Sequence, residues 1–285
     1  MKLENRVALI TGASRGIGRA LALGFAGEGA DLALVARTGT DLEKTAGDTR
    51  AIGRRALPIT ADVSGSGAVE QVVEKVVEEF GRIDILVNDA GRQPPIGSLV
   101  ECNPEDWVQT IRVNLIGTML CCRAVLLGMI ERRQGKIINL SGGGATAPRP
   151  NFSAYAASKA AVVRLTETLA QEVKEFNIQV NAIAPGAINT KMLEEVLAAG
   201  NSAGEVALSQ AKRQKESGGD SLEKVVALAV FLASEESGGL TGKLISAQHD
   251  PWRDWAGKAD ELNASPLYTI RRLDPFTIKP LIKDL

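Results

Sequence analysis

Short apolar runs alternate with stretches of helical periodicity from the sixth residue onward. Arg6–Thr11 (RVALIT), Asp31–Ala36 (DLALVA), Arg55–Thr60, Ile83–Asn88 (IDILVN), Lys136–Leu140 (KIINL) and Ile178–Ile183 (IQVNAI) read as strands, with Lys243–Ser246 as a further short one. Between them Gly16–Glu28, Asp41–Ile52, Ala68–Phe80, Pro104–Arg133, Ser153–Phe176 and Ser221–Ala233 read as helices. Val69, Val72, Val73, Val76 and Val77 give the third of these an apolar face. Pro104 suits a first helical turn. Near-continuous apolar strands separated by helices belong to parallel sheets buried on both faces, and right-handed crossovers make such a sheet doubly wound. The expected fold class is therefore α/β, a doubly wound parallel sheet of about seven strands with helices on both faces.

Two segments stand apart from this rhythm. Residues 187–220 are small, polar and weakly helical, with Met192-Leu193 and Val196-Leu197 set between glycines, a composition that suits a mobile lid. Residues 251–285 form a C-terminal extension in which Trp252, Trp255, Leu262, Leu267, Tyr268, Ile270 and Phe276 supply too much apolar surface for a free tail. The expected organisation is one domain over residues 1–250, lid included, with the extension packed on it or on a neighbouring subunit.

Composition narrows the function classes. A formal net charge of -1 offers no electrostatic grip on nucleic acid or an anionic membrane. The single histidine, His249, excludes a His-rich metal site, and a Ser-His-Asp triad would depend on that one residue. Cys102, Cys121 and Cys122 have no metal or redox spacing and suit reduced thiols. The charged start Met1–Arg6 runs straight into the first strand and leaves no signal-peptide core, and no apolar run approaches the length of a membrane span. The expected compartment is the cytoplasm.

The turn after the first strand reads Thr11-Gly12-Ala13-Ser14-Arg15-Gly16-Ile17-Gly18. Glycines there permit a tight turn and close approach of a pyrophosphate to a helix N-terminus. The spacing is G-x-x-x-G-x-G, and by itself it fits an unliganded turn equally well. The second strand ends in Ala36-Arg37-Thr38, with no carboxylate before Asp41. An acid at that point holds a ribose hydroxyl, whereas an arginine accommodates a 2′-phosphate. Arg37 and Arg15 thus favour NADP(H) over NAD(H), the alternative being that Arg37 is simply solvated.

Tyr155 and Lys159 lie one turn apart on a predicted helix. An ammonium beside a phenol favours the phenolate and lowers its pKa, and a phenol tuned in this way exchanges protons with a carbonyl or alcohol oxygen. In isolation such a pair is a common surface accident. Ser141, at the C-terminal end of the fifth strand where open sheets bind ligands, gives it a partner, although Ser141 also fits plain loop chemistry. Asn114 fits a kinked helix interior, and Asp62 a cap for the helix that follows.

With Gly12, Gly16 and Gly18, Asp62-Val63, Asn88-Asp89-Ala90-Gly91, Asn114, Ser141, Tyr155, Lys159 and Pro185-Gly186 together, the chain resembles the short-chain dehydrogenase/reductase family, and is similar to 3-oxoacyl-(acyl-carrier-protein) reductases. Asp89 departs from the family's usual Asn-Asn-Ala-Gly. The resemblance implies a Rossmann fold and a nicotinamide cofactor held by Gly12, Ser14, Arg15, Gly16, Ile17, Gly18 and Arg37. It implies Asp62 and Val63 at the adenine end and Asn88, Ala90 and Gly91 along the central wall. It places Ile188 and Thr190, just past Pro185 and Gly186, at the carboxamide and phosphates. Tyr155 is then the general acid/base, Lys159 bonds the nicotinamide ribose and depresses the tyrosine pKa, Ser141 orients the substrate oxygen, and Asn114 holds a water linking Lys159 to solvent. The family also implies a homodimer or homotetramer.

The expected activity is hydride transfer between NADP(H) and a small carbonyl or secondary-alcohol substrate. A non-catalytic dinucleotide-binding sensor or scaffold is the alternative, but it has no need of Asn114, Ser141, Tyr155 and Lys159 together. A sugar-nucleotide-modifying relative would ordinarily carry a larger substrate domain. Residues 142–152 and the lid are expected to frame the substrate pocket, with Pro148, Pro150 and Phe152 as apolar surface and Arg149 available to an anionic group.

Overall fold

A computed structural model describes residues 1–274. Seven parallel strands, β1 (Val7–Thr11), β2 (Asp31–Ala36), β3 (Ala56–Thr60), β4 (Ile85–Asn88), β5 (Gly135–Leu140), β6 (Ile178–Ala184) and β7 (Leu244–Ser246), form one sheet in the order β3-β2-β1-β4-β5-β6-β7. The chain runs from β1 outward to β3 and then returns to place β4 on the other side of β1. This reversal opens a crevice at the C-terminal ends of β1 and β4, where Thr11 is in register with both Val35 and Asn88.

Strand alternation explains why both faces are covered. Ala8, Ile10, Leu32 and Leu34 face one core with Leu21 and Phe25 of α1 (Gly16–Gly27). Leu9, Ala33 and Val35 face the other, with Val72 and Val76 of α3 (Ser66–Phe80); α2 (Gly39–Ala51) lies between these helices in the chain. The α3 helix stops at Gly81, whose φ of +80° is the left-handed cap that glycine adopts without strain.

Residues 104–132 form one continuous rod: α4 (Pro104–Ile111), a π turn (Arg112–Ile116) and α5 (Gly117–Arg132). Asn103 caps it by accepting from the Glu105 and Asp106 N–H groups. This rod corrects the expectation about apolar length. Its 29 residues include a window of mean hydropathy 1.9, long and apolar enough to cross a membrane by composition. Here that composition serves a core: Cys121, Cys122, Val125 and Met129 pack under the sheet against α3.

The helix α6 (Ser153–Glu172) is shorter than expected, because the chain tightens into a 3-10 turn (Lys174–Phe176) before left-handed Asn177 redirects it into β6. The lid segment folds into α7 (Lys191–Ala199) and α8 (Glu205–Ser217), more regular than its composition predicts. Leu193, Val196, Ala203 and Ala211 bury against Phe152 and Tyr155, and that packing overrides weak propensity. Beyond α9 (Leu222–Ala233) and β7, the extension carries Trp252 and Trp255 into the core and forms α10 (Ala259–Ala264). Its backbone at Tyr268 accepts from the Leu244 N–H of β7 at 2.8 Å. Phe276 and the rest of 275–285 lie outside the described residues.

Candidate active site

The crevice holds a cleft of about 620 Å³ lined by Gly12, Ser14, Arg15, Gly16, Ile17, Arg37, Asp62, Val63, Ala90, Gly91 and Thr190, with α7 along one side. Two glycines are required by contact. Gly12 has φ +72°, and a Cβ there would stand 2.8 Å from the Ala90 nitrogen. A Cβ on Gly18 would meet the Gly12 carbonyl oxygen at 2.4 Å, so β1, its turn and α1 close only without side chains. Among the described residues no side chain caps the α1 N-terminus, which leaves its donors to the cleft. Asp62 accepts from the Ser64 N–H at 2.9 Å. Burial works against its charge, but the Ser64 bonds and the Arg37 guanidinium outweigh that and hold it below the usual carboxylate range. The helix after Asp62 takes Gly65 as its cap residue.

Other expected residues stand behind the cleft. Asn88 is buried at the end of β4, donating to Asn139 Oδ1 at 2.9 Å. Pro185 and Gly186 form a turn locked from outside: Gln248 donates to the Pro185 carbonyl at 2.8 Å, and Gly186 has φ +92°. Ile188 packs on the core shared with α1 and is absent from the cleft lining, because an apolar side chain just past that turn finds the core before it finds the cleft.

Tyr155 and Lys159 are both buried on α6, with Lys159 Nζ 5.7 Å from the centre of the tyrosine ring. Lys159 Nζ donates to the Leu140 carbonyl at 2.7 Å, at the end of β5. Ser141 follows, and its buried hydroxyl has no hydrogen-bond partner among the described residues. A Cβ on the next residue, Gly142, would stand 2.3 Å from the Tyr155 hydroxyl, so the Ser141-Gly142 backbone passes directly against the phenol. Asn114 lies in the π turn, a local widening frequent at functional sites. It accepts from the Arg92 N–H at 2.8 Å and donates to the Arg92 carbonyl and the Ser158 hydroxyl, each at 2.9 Å. Ser158 donates in turn to the Tyr155 carbonyl at 2.7 Å. The fold thus brings Asn114, Ser141, Tyr155 and Lys159 from three separate segments to one place.

The phenol's acidity differs from the sequence expectation. Burial pushes Tyr155 up to about 12; Arg149 opposes this and Asp89 adds to it. Desolvation of the phenolate outweighs the neighbouring Arg149 charge in this state. Burial lowers Lys159, and the Asp89 charge opposes that shift. Asp89 is itself raised by burial and held back by Lys159 and by the Gly18 N–H. Asp89 keeps an edge on the cleft, and its carboxylate turns inward, with Oδ2 2.7 Å from where a Gly18 Cβ would sit. This Asp89–Lys159 relation escaped the sequence reading, which marked Asp89 only as an unusual residue in its motif. Gln93, buried beside Arg149, escaped it altogether.

Comparison with known proteins shows the fold and the family. A family model described as short chain dehydrogenase matches residues 6–200. The 3-oxoacyl-(acyl-carrier-protein) reductase FabG of Thermotoga maritima is 39% identical over 245 residues, covering 86% of this chain and 97% of its own. The 2,3-dihydro-2,3-dihydroxybenzoate dehydrogenase of Bacillus subtilis is 39% identical over 204 residues, covering 72% and 78%. The crystal structure of NAD+-bound xylitol dehydrogenase superposes with a TM-score of 0.81 at 30% identity, covering 86% of this chain and 98% of that one. The seven-stranded sheet is thus the Rossmann fold of these neighbours, and the chain belongs to the short-chain dehydrogenase/reductase family, nicotinamide-dependent oxidoreductases that act on alcohol and carbonyl groups.

Proposed function

We propose that the protein reduces the carbonyl group of a small molecule with NADPH, using Ser141, Tyr155, Lys159 and Asn114. One observation carries the reading: the Ser141 hydroxyl is buried and without a partner among the described residues, and the backbone of the next residue, Gly142, lies against the Tyr155 phenol just past the C-terminal end of β5. A buried unpaired hydroxyl is unfavourable in a resting protein and useful where a substrate oxygen arrives to accept from it.

The bound nicotinamide supplies the hydride. Ser141 donates to the substrate oxygen and orients it. Tyr155 donates a second hydrogen bond there and gives up its proton as negative charge develops; removing one such donor commonly lowers rates about a hundredfold to a thousandfold. A phenol at about 12 is protonated at neutral pH, the form required for carbonyl reduction. Lys159 bonds the nicotinamide ribose from its seat on the Leu140 carbonyl and favours the phenolate left by proton transfer. Asn114 holds the backbone at Arg92 and, through Ser158, the backbone at Tyr155, so it fixes the position of the acid. The glycine turn, Asp62, Val63, Ala90, Gly91 and Thr190 fit a dinucleotide along the cleft.

Arg37 just past β2 and Arg15 in the turn both line the cleft, which supports NADP(H) over NAD(H). We place the enzyme in the cytoplasm as a homodimer or homotetramer on the family resemblance. The relatives' names include a 3-oxoacyl-(acyl-carrier-protein) reductase and a 2,3-dihydro-2,3-dihydroxybenzoate dehydrogenase, which support a carbonyl or secondary alcohol as the reacting group. The test follows nicotinamide absorbance with NADPH and NADH against ketones, oxoacyl thioesters, keto sugars and oxo acids. Turnover with NADPH preferred supports the reading. Binding of dinucleotide without oxidation of it by any carbonyl would favour the scaffold alternative.

A further inference from the structure

Arg149 lies in the loop between β5 and α6, on the wall of the same Ser141–Gly143 segment that borders the Tyr155 hydroxyl. Its Cζ stacks 3.9 Å above the Phe152 ring and lies 5.6 Å from the centre of the Tyr155 ring. A Cβ on Gly143 would stand 3.8 Å from Arg149 Nη1. With its amide turned to satisfy both neighbours, Gln93 accepts from Arg149 Nη1 at 3.1 Å and donates to the Met192 carbonyl of α7 at 3.1 Å. Phe152 and Gln93 are 0% and 3% exposed, so the guanidinium rests on a rigid base.

The other edge of this guanidinium is unmatched. Among the described residues no carboxylate lies within ion-pair distance of Arg149, and the bond to Gln93 uses one of its five N–H donors. A purely packing role over Phe152 is served as well by methionine or leucine, without desolvating a cation. A planar fork with free donors, half-buried beside an acid, matches an oxyanion that docks two oxygens at once. Burial lowers the arginine's pKa, as expected for a cation held without a counter-charge.

Building on the proposed carbonyl reduction, we infer that Arg149 is a specificity residue that receives an oxyanion on the substrate, and that the preferred substrate is a short oxo acid. Ser141 and Tyr155 take the carbonyl oxygen while the guanidinium takes the carboxylate. Gln93 couples that contact to α7, so the anion is read by the lid as well as by the loop.

The test measures kcat/KM with NADPH for pyruvate, acetoacetate and levulinate against their methyl esters, with dihydroxyacetone phosphate against dihydroxyacetone as a phosphate arm. The wild-type chain is expected to prefer at least one anion over its neutral counterpart by roughly tenfold to a hundredfold, chiefly through KM. Arg149→Met is expected to bring that ratio close to one, and Arg149→Lys to restore part of it. A phosphate preference without a carboxylate preference overturns the oxo-acid assignment and keeps the oxyanion site. Equal wild-type efficiency on anion and neutral ketone, or an unchanged ratio in Arg149→Met, overturns the site while leaving the reductase intact. Reduction of none of these compounds, together with none of the wider carbonyl panel, defeats the reductase reading and this inference with it. The wild-type ratio needs no variant, so a misfolded Arg149→Met leaves the question decidable.

Discussion

The Lys159 ammonium donates to the Leu140 carbonyl at 2.7 Å, tying α6 to the end of β5. Because Ser141 is the next residue and Tyr155 lies one turn earlier on α6, this bond fixes the spacing of the two proposed donors. Replacing the lysine leaves a buried carbonyl unpaired and removes the cation beside the phenol. Lys159→Ala is expected to weaken NADPH binding and turnover together, each by about tenfold or more. Titration calorimetry and steady-state rates on the folded variant check this. Unchanged values in both would remove the lysine's double role.

Asp89 makes stability depend on pH in a defined direction. Its carboxyl is raised to about 7, above the ordinary value of 3.8, by burial. The folded state therefore favours the neutral acid, a contribution present below about pH 4 and lost as pH rises through about 7. Lys159, lowered to about 8 from 10.5, contributes above its ordinary value and loses that contribution as pH falls through about 8. Asp89→Asn removes the first effect. Its urea midpoint is expected to rise relative to wild type between about pH 4 and about pH 7. A pH-independent difference, or one of opposite slope, contradicts the buried carboxylate.

Gly18 seals the β1–α1 turn. A Cβ there would overlap the Gly12 carbonyl and the Asp89 carboxylate. Gly18→Ala is expected to destabilise the protein by about 1–3 kcal/mol and to weaken dinucleotide binding, since the turn must shift to admit the methyl. Denaturant unfolding and a binding titration measure the two. A variant with wild-type stability and affinity would show that the turn yields freely.

The extension is part of the core. Trp255 is 5% exposed and its ring centre lies 4.5 Å from that of Tyr268. Trp255→Ala is expected to lower stability by about 3–5 kcal/mol. A change below about 1 kcal/mol in urea denaturation would mean that the tail only rests on the surface.

How far the chain could be read from sequence followed the range of the interactions involved. The Gly12–Gly18 turn, the Tyr155–Lys159 spacing and the apolar strands are encoded by near neighbours, and the folded chain places them as the pattern indicated. Asn114 was ambiguous between a kink and a ligand-side role; the π turn gives it a widened helix and three bonds to other segments. The burial that raises the Tyr155 pKa is not legible in sequence, where only the lysine at i+4 can be seen. The lid looked weakly helical because its helices depend on Phe152 and Tyr155 for their core. Gln93, Arg149 and Met192 meet only through tertiary packing, so no spacing shows their contact.

The central claim is that the Tyr155 hydroxyl delivers the proton that accompanies hydride transfer. The direct measurement is the single-turnover rate of NADPH oxidation by Tyr155→Phe, with a carbonyl substrate of the wild-type enzyme and with NADPH affinity recorded on the same sample. The account predicts near-wild-type affinity with a rate lowered by about a hundredfold to a thousandfold or more. A folded variant that binds NADPH and oxidises it at close to the wild-type rate would contradict it.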